Sequence, residues 1–231
     1  MKSNTNQFYD SLTTIAEPVK HQSRRSFLIN SGRVSLLSAV AITACKKTSN
    51  DNGIDLGSGD IGILNYAYAL EQLEAAFYVK VMASPYSSMP AVEASYLMDI
   101  RDHEIAHREF FKAALGSNAI PSLEVNFSSI DFTSRSSVLG TAKAFEDLGV
   151  TAYNGAGQLL QNAGFLTLAG KIVSVEARHA ALIRNLITSG SFADSTAVDG
   201  NALDMARTPP QVLAIAGPYI KTQINANNLP S

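Results

Sequence analysis

The chain has 231 residues, 46% of them hydrophobic, and a formal net charge of −2 at pH 7. That length and composition suffice for one domain with a substantial core, and the charge offers no electrostatic footprint for nucleic acid. A single cysteine, Cys45, excludes a disulfide within one chain.

The first 45 residues are unlike the rest. Arg24 and Arg25 precede Ser-Phe-Leu, and an apolar stretch from roughly Val34 to Ala44 ends at Cys45. The stretch is shorter than the about 20 residues a spanning helix needs, and it suits the apolar region of a secretory signal. The arginine pair resembles a twin-arginine export signal, and Ile42-Thr43-Ala44-Cys45 resembles a bacterial lipobox. Those resemblances imply an exported, periplasmic or cell-envelope lipoprotein, anchored to the membrane by a lipid on Cys45. Plain cleavage and a retained stub are the alternatives. Export by that route lets a protein fold and load a cofactor before crossing. Loss of residues 1–44 would remove Lys2, Lys20, Arg24, Arg25 and Arg33 against Asp10 and Glu17, leaving a more acidic remainder. Residues 1–45 are read as the signal peptide. Residues 46–60, rich in Gly, Ser, Asn and Asp, are read as a flexible tether.

Four long helices are predicted after it. The first runs from Ile61 to about Ala83 and stops before Pro85. The second begins at Pro90, suited to a first turn, and ends at Gly116. The third covers residues 136–161 and is weakened by Gly140, Gly149, Gly155 and Gly157; the fourth covers 165–190 and closes at Gly190. A shorter fifth helix starts at Thr208, where Thr-Pro-Pro-Gln offers a cap, a proline at the first helical position and Gln three residues on. Short links join helices one to two and three to four, so each pair is expected as an antiparallel hairpin. Residues 117–134 form a long connection between the pairs, of which Leu-Glu-Val-Asn-Phe is expected to run extended. The expected fold is all-α: a ferritin-like four-helix bundle over 61–190 with a long crossover between helices two and three. Residues 191–231 follow as a C-terminal extension carrying the short helix.

Two Glu-x-x-His triplets stand on alternate helices: Glu104 with His107, and Glu176 with His179. Residues three apart share a helix face, so each triplet presents an oxygen and a nitrogen to one point. The other two helices repeat one another without gaps. ALEQLEAAFY aligns with AFEDLGVTAY, matching Glu71 to Glu146 and Tyr78 to Tyr153. Seven residues make nearly two turns, so each Glu and Tyr lie on one face. A Glu from each of two helices plus a Glu-x-x-His from each of the others is the ligand set of di-iron or di-manganese carboxylate bundles. Glu71, Glu104, His107, Glu146, Glu176 and His179 are therefore the candidate metal ligands. Oxygen-rich donors with a minority of nitrogen suit two iron or manganese ions better than a thiolate-seeking metal. The bland alternative is a buried polar network that stabilises the bundle.

Through LNYAYALEQLEAAFY, HEIAHREFFKAALG and SVEARHAALIR, the chain resembles the ferritin-like domain family that includes desiccation-related proteins. The resemblance covers about residues 61–188, and the TPPQVLAIAGPYI tail resembles that family's usual tail. It implies a four-helix bundle with a di-metal centre, in a family whose biochemical role is largely unsettled.

Some residues remain less determined. Glu74 lies about 60° from Glu71 on the helix and is an alternative ligand or an outer partner, although its match in the repeat is Gly149. Tyr78 and Tyr153 are core residues, with hydroxyls suited to orienting ligand carboxylates. His103 points about 100° from Glu104 and is expected in solvent. Arg178 and Arg184 are expected in solvent or paired with acids, and Asp147 has no assigned role. Three functions compete. The first is an exported protein reacting iron with dioxygen or peroxide, with di-metal oxidase or ferroxidase-type activity, in oxidation or stress defence. The second is a non-catalytic structural or protective bundle, and the third is an oxidase of an organic substrate. Iron storage needs a closed cage of subunits, which a lipid on every chain opposes; homo-oligomers of other kinds stay open.

Overall fold

The computed structural model describes residues 53–230. Arg24, Arg25, Cys45, the expected signal peptide and the first part of the tether lie outside those residues. The described chain is all-α apart from one short strand pair. Four long helices dominate: α1 (Gly59–Ala83), α2 (Ala91–Leu115), α3 (Arg135–Gly157) and α4 (Ala163–Ile187). A fifth, α5 (Pro209–Ala216), follows. Helix α1 packs along α2 and α3 along α4, and α1 also meets α3. This is the expected bundle of two hairpins joined by a long crossover. Among the described residues, no helix is long and apolar enough to cross a membrane.

The helix ends follow local chemistry. Pro90, the expected start, sits just outside α2, which begins at Ala91, and Gly116 closes that helix at φ 55, with its N–H donating to the Lys112 carbonyl. The Ser134 hydroxyl accepts from the Ser137 N–H and so caps α3. Helix α3 was expected to reach residue 161 but stops at Gly157. The Asn162 side chain there accepts from the N–H groups of Gly164 and Phe165 and starts α4. The Asp60 carboxylate also accepts from the Gln161 and Asn162 N–H groups at 2.8 and 2.9 Å. Residues 158–162 thus gain more as a capped link than as another helical turn. At α5, the Gln211 side chain accepts from the Thr208 N–H at 2.9 Å.

Helix α1 is buried on nearly every side, because the crossover and the N-terminal segment close over it. Asn65 donates to the carbonyls of Leu56 and Asn118 and accepts from the Ile120 N–H, at 2.9–3.0 Å. Gln72 accepts from the Leu123 N–H at 2.8 Å. These buried amides are satisfied only when the crossover is in place, so they fix its path. Phe77 packs edge-on against Tyr78, Phe127 and Phe145, joining helix and crossover in one aromatic cluster.

The tether reading needs correction for residues 53–60. β1 (Ile54–Asp55) pairs in parallel with β2 (Ile224–Asn225), and Leu56 is 0% exposed. Residues 59 and 60 already belong to α1. Two-residue strands carry no periodicity, so only the distant partner reveals the pairing. Leu-Glu-Val-Asn-Phe does run extended: the Asn126 N–H donates to the Tyr219 carbonyl, and the Lys221 N–H to the Glu124 carbonyl, both at 2.8 Å.

The C-terminal segment straps onto α3. The Arg207 N–H donates to the Thr151 carbonyl at 3.0 Å, and its guanidinium to the Thr151 hydroxyl at 2.8 Å. A Cβ added at Gly155 would sit 1.8 Å from the Arg207 carbonyl oxygen. Gly155 therefore permits a backbone approach that no larger residue allows. A Gly155→Ala change should push the strap off α3 and destabilise the fold by about 1–3 kcal/mol, the usual cost of overpacking. Chemical denaturation would check this; a variant as stable as the parent would contradict the strap's role.

Candidate metal centre

Each long helix contributes to one buried cluster: Glu71 from α1, Glu104 and His107 from α2, Glu146 from α3, Glu176 and His179 from α4. All four carboxylates are 0% exposed, which costs several kcal/mol each unless partners compensate. The donor atoms converge in two overlapping groups. One contains Glu71, Glu104, His107 and Glu176; the other contains Glu104, Glu146, Glu176 and His179. Within each group the donor atoms lie within 4.8 Å of one another. Glu104 and Glu176 belong to both groups. The geometry thus brings together all six residues singled out from the sequence.

The contacts among them are close without being hydrogen bonds. His107 Nδ1 lies 3.0 Å from Glu176 Oε1, 3.4 Å from Glu71 Oε2 and 3.5 Å from Glu104 Oε2. His179 Nδ1 lies 2.9 Å from Glu104 Oε1 and 3.3 Å from Glu146 Oε2. Both ring nitrogens, both oxygens of Glu104 and Glu176, and Oε2 of Glu71 and Glu146 nevertheless have no hydrogen-bond partner. These are eight of the ten such buried side-chain atoms among the described residues. Buried polar atoms are normally satisfied, so this concentration needs a physical reason.

The remaining oxygens are satisfied reciprocally. The Tyr153 hydroxyl of α3 donates to Glu71 Oε1 of α1, and the Tyr78 hydroxyl of α1 donates to Glu146 Oε1 of α3. Glu71 and Glu146 therefore keep one free oxygen each, whereas Glu104 and Glu176 keep two. Glu104 and Glu176, with two free oxygens each, are also the two residues that both donor groups share.

Electrostatics reflect the crowding. Burial drives the Glu71 carboxyl up to about 7, against the pull of His107. Burial and the neighbouring Glu104 and Glu71 charges push Glu176 well above the carboxylate range, and burial also raises Glu146. Burial would raise Glu104 too, but the two imidazoles beside it hold it at about 2. Burial opposes a charged His179, yet Glu104 and Glu146 lift it to about 10; His107 is raised by Glu104, Glu176 and Glu71 in the same way.

His103 is exposed, as expected, but it makes a contact not expected from the sequence. Its Nδ1 lies 2.9 Å from His179 Nε2, with the two rings only 9° from parallel. If His179 presents the Nδ1 lone pair to a cation, its Nε2–H donates to His103. His103 then fixes that tautomer and ring orientation. The signal was present in the sequence: His103 and His107 are four apart, hence on one helix face.

Arg178 stays exposed and donates to the Ser174 carbonyl. Arg184 is only 3% exposed; it grips both Asp147 oxygens at 2.7 and 2.8 Å and also reaches Asp194 and Thr196. Asp147, given no role from the sequence, thus ties α3 to α4 and, through Arg184, to the strap. Glu74 is buried as well but joins neither donor group.

A Tyr153→Phe change leaves Glu71 Oε1 buried without a donor. It should cost about 1–3 kcal/mol of stability in protein prepared without metal, measured by urea denaturation. Unchanged stability would mean that this hydroxyl does not hold the carboxylate.

A comparison with curated proteins gives no match. A family model described as a ferritin-like domain matches residues 59–189, more than half of the chain and the whole span of α1 to α4. With its helical bundle and its buried groups of carboxylates and histidines able to hold metal, the chain belongs to the ferritin-like domain family.

Proposed function

We propose that this is an exported di-metal carboxylate protein that reacts with dioxygen or peroxide, in iron and oxygen redox chemistry or stress defence. The observation that carries the reading is the set of eight unpartnered donor atoms, all on the six residues predicted as ligands. Glu71 and His107 would hold one ion, Glu146 and His179 the other, with Glu104 and Glu176 between them. Four carboxylates match the charge of two divalent cations, which removes the like-charge conflict of the metal-free cluster. Six oxygens and two nitrogens, without a thiolate, suit iron or manganese. Such a pair, when bound, supplies the electrons for reduction of dioxygen or peroxide.

The chain's own groups set the conditions for that chemistry. The Tyr78 and Tyr153 hydroxyls hold the outer oxygens of Glu146 and Glu71, so that each presents its other oxygen inward. His103 holds the far nitrogen of His179. The buried carboxylates stand in a medium of low dielectric, where charge interactions are strong. The export reading rests on the twin-arginine-like Arg24 and Arg25 and the lipobox-like Cys45, which would place the protein on a membrane surface as a periplasmic or cell-envelope lipoprotein. The resemblance of its sequence motifs to a family that includes desiccation-related proteins supports the stress-defence reading.

Elemental mass spectrometry on protein purified without added metal or chelator tests the centre. About two iron or manganese ions per chain are expected, and none in a Glu104→Ala, Glu176→Ala double variant. A folded parent that holds no metal and takes up no added Fe(II) would leave a structural or protective bundle.

Proton linkage gives a second test. Glu71 at about 7 and the raised Glu146 and Glu176 must lose protons to bind a cation, as must the raised His107 and His179. Loading should therefore release protons, and apparent affinity should fall as pH drops from 8 toward 6. A pH-stat titration reads this directly; metal uptake without proton release would contradict it.

A further inference from the structure

One buried carboxylate stands outside both donor groups. Glu74 lies one turn beyond Glu71 on α1 and is 3% exposed. Four other buried carboxylates, Glu176, Glu104, Glu146 and Glu71, lie around it. A buried acid among like charges is costly.

Helix α3 makes room for it. A Cβ at Gly149 would sit 3.0 Å from Glu176 Oε2 and 3.2 Å from Glu74 Oε1, tighter than ordinary van der Waals contact. The two carboxylates border the same space, and Glu176 Oε2 is among the unpartnered atoms. The internal repeat sharpens the point. ALEQLEAAFY and AFEDLGVTAY match glutamate for glutamate and tyrosine for tyrosine, yet Glu74 falls opposite Gly149. At this position one helix adds a carboxylate where the other gives up its side chain. Gly149 is not needed for its backbone, since it lies inside a regular helix.

We propose that Glu74 is a seventh metal-ligating side chain, reaching across the space left by Gly149 to an ion held at Glu176 Oε2. The proposal rests on the di-metal reading above. Five carboxylates carry one negative charge more than two divalent ions neutralise, so the added group favours ions of higher charge. Glu74 thereby biases the centre toward trivalent occupancy and makes its two halves unequal.

The test compares the parent with Glu74→Gln and Gly149→Ala proteins, all prepared metal-free and checked for unchanged helical circular dichroism. Each is titrated with zinc(II) alone and with gallium(III) supplied from its nitrilotriacetate complex, and bound metal is counted by elemental mass spectrometry. Neither ion is redox-active here, so activity plays no part. Glu74→Gln should weaken gallium binding at least about tenfold, the scale seen when groups around a metal are lost, with zinc far less affected. Gly149→Ala should shift the ratio the same way by crowding both oxygens. A gallium-to-zinc affinity ratio equal to the parent's in Glu74→Gln overturns the proposal while leaving the six-residue centre intact. A parent that binds neither ion removes the di-metal reading itself and this inference with it.

Discussion

The structure depends on one electrostatic constraint: four fully buried carboxylates share the centre of a helical bundle with two imidazoles. Hydrophobic packing alone does not tolerate such a cluster, because each charge loses its water and faces its like. In the chain itself, the compensation is partial. Two tyrosines satisfy one oxygen each of Glu71 and Glu146, and the imidazoles stabilise Glu104. The uncompensated donor atoms converge on two adjoining points. That is the physical case for a pair of cations, and it comes from geometry rather than from family membership.

Much of the surrounding architecture reads as support for that cluster. The internal repeat places Glu71 and Glu146 at matched positions on α1 and α3, and each tyrosine crosses to the opposite glutamate. The residue after each glutamate anchors a flanking segment. Gln72 holds the crossover at Leu123, and Asp147 holds Arg184, which reaches the strap at Thr196. The same helices that supply donors are thus stapled on their outer sides, which limits their freedom to separate under internal repulsion. Glycines on α3 serve close approach: Gly155 to the strap, Gly149 to Glu74 and Glu176.

What was legible in the sequence was what repeats at helical spacing. The four long helices, the crossover and the two Glu-x-x-His triplets all follow from period and spacing, and the aligned decapeptides pair Glu71 with Glu146. Glu71 and Glu74 lay too close in helical phase to separate from sequence; the geometry puts Glu71 in a donor group and Glu74 beside it. His103 is exposed as expected, but its contact with His179 was missed because its angle was measured from Glu104 alone, whereas it shares a face with His107. Nonlocal pairing escaped entirely. Ile54 and Ile224 are partners across nearly the whole domain, and no local pattern announces a two-residue strand. The end of α3 was missed because Asp60, distant in sequence, caps the link after it.

The most direct measurement is anomalous X-ray diffraction at the iron and manganese edges from crystals of protein grown with the metal. The account predicts two anomalous peaks per chain, each in contact with both Glu104 and Glu176, with His107 on one and His179 on the other. A single peak, a pair of peaks away from these residues, or no peak in crystals that diffract well at both edges would contradict it.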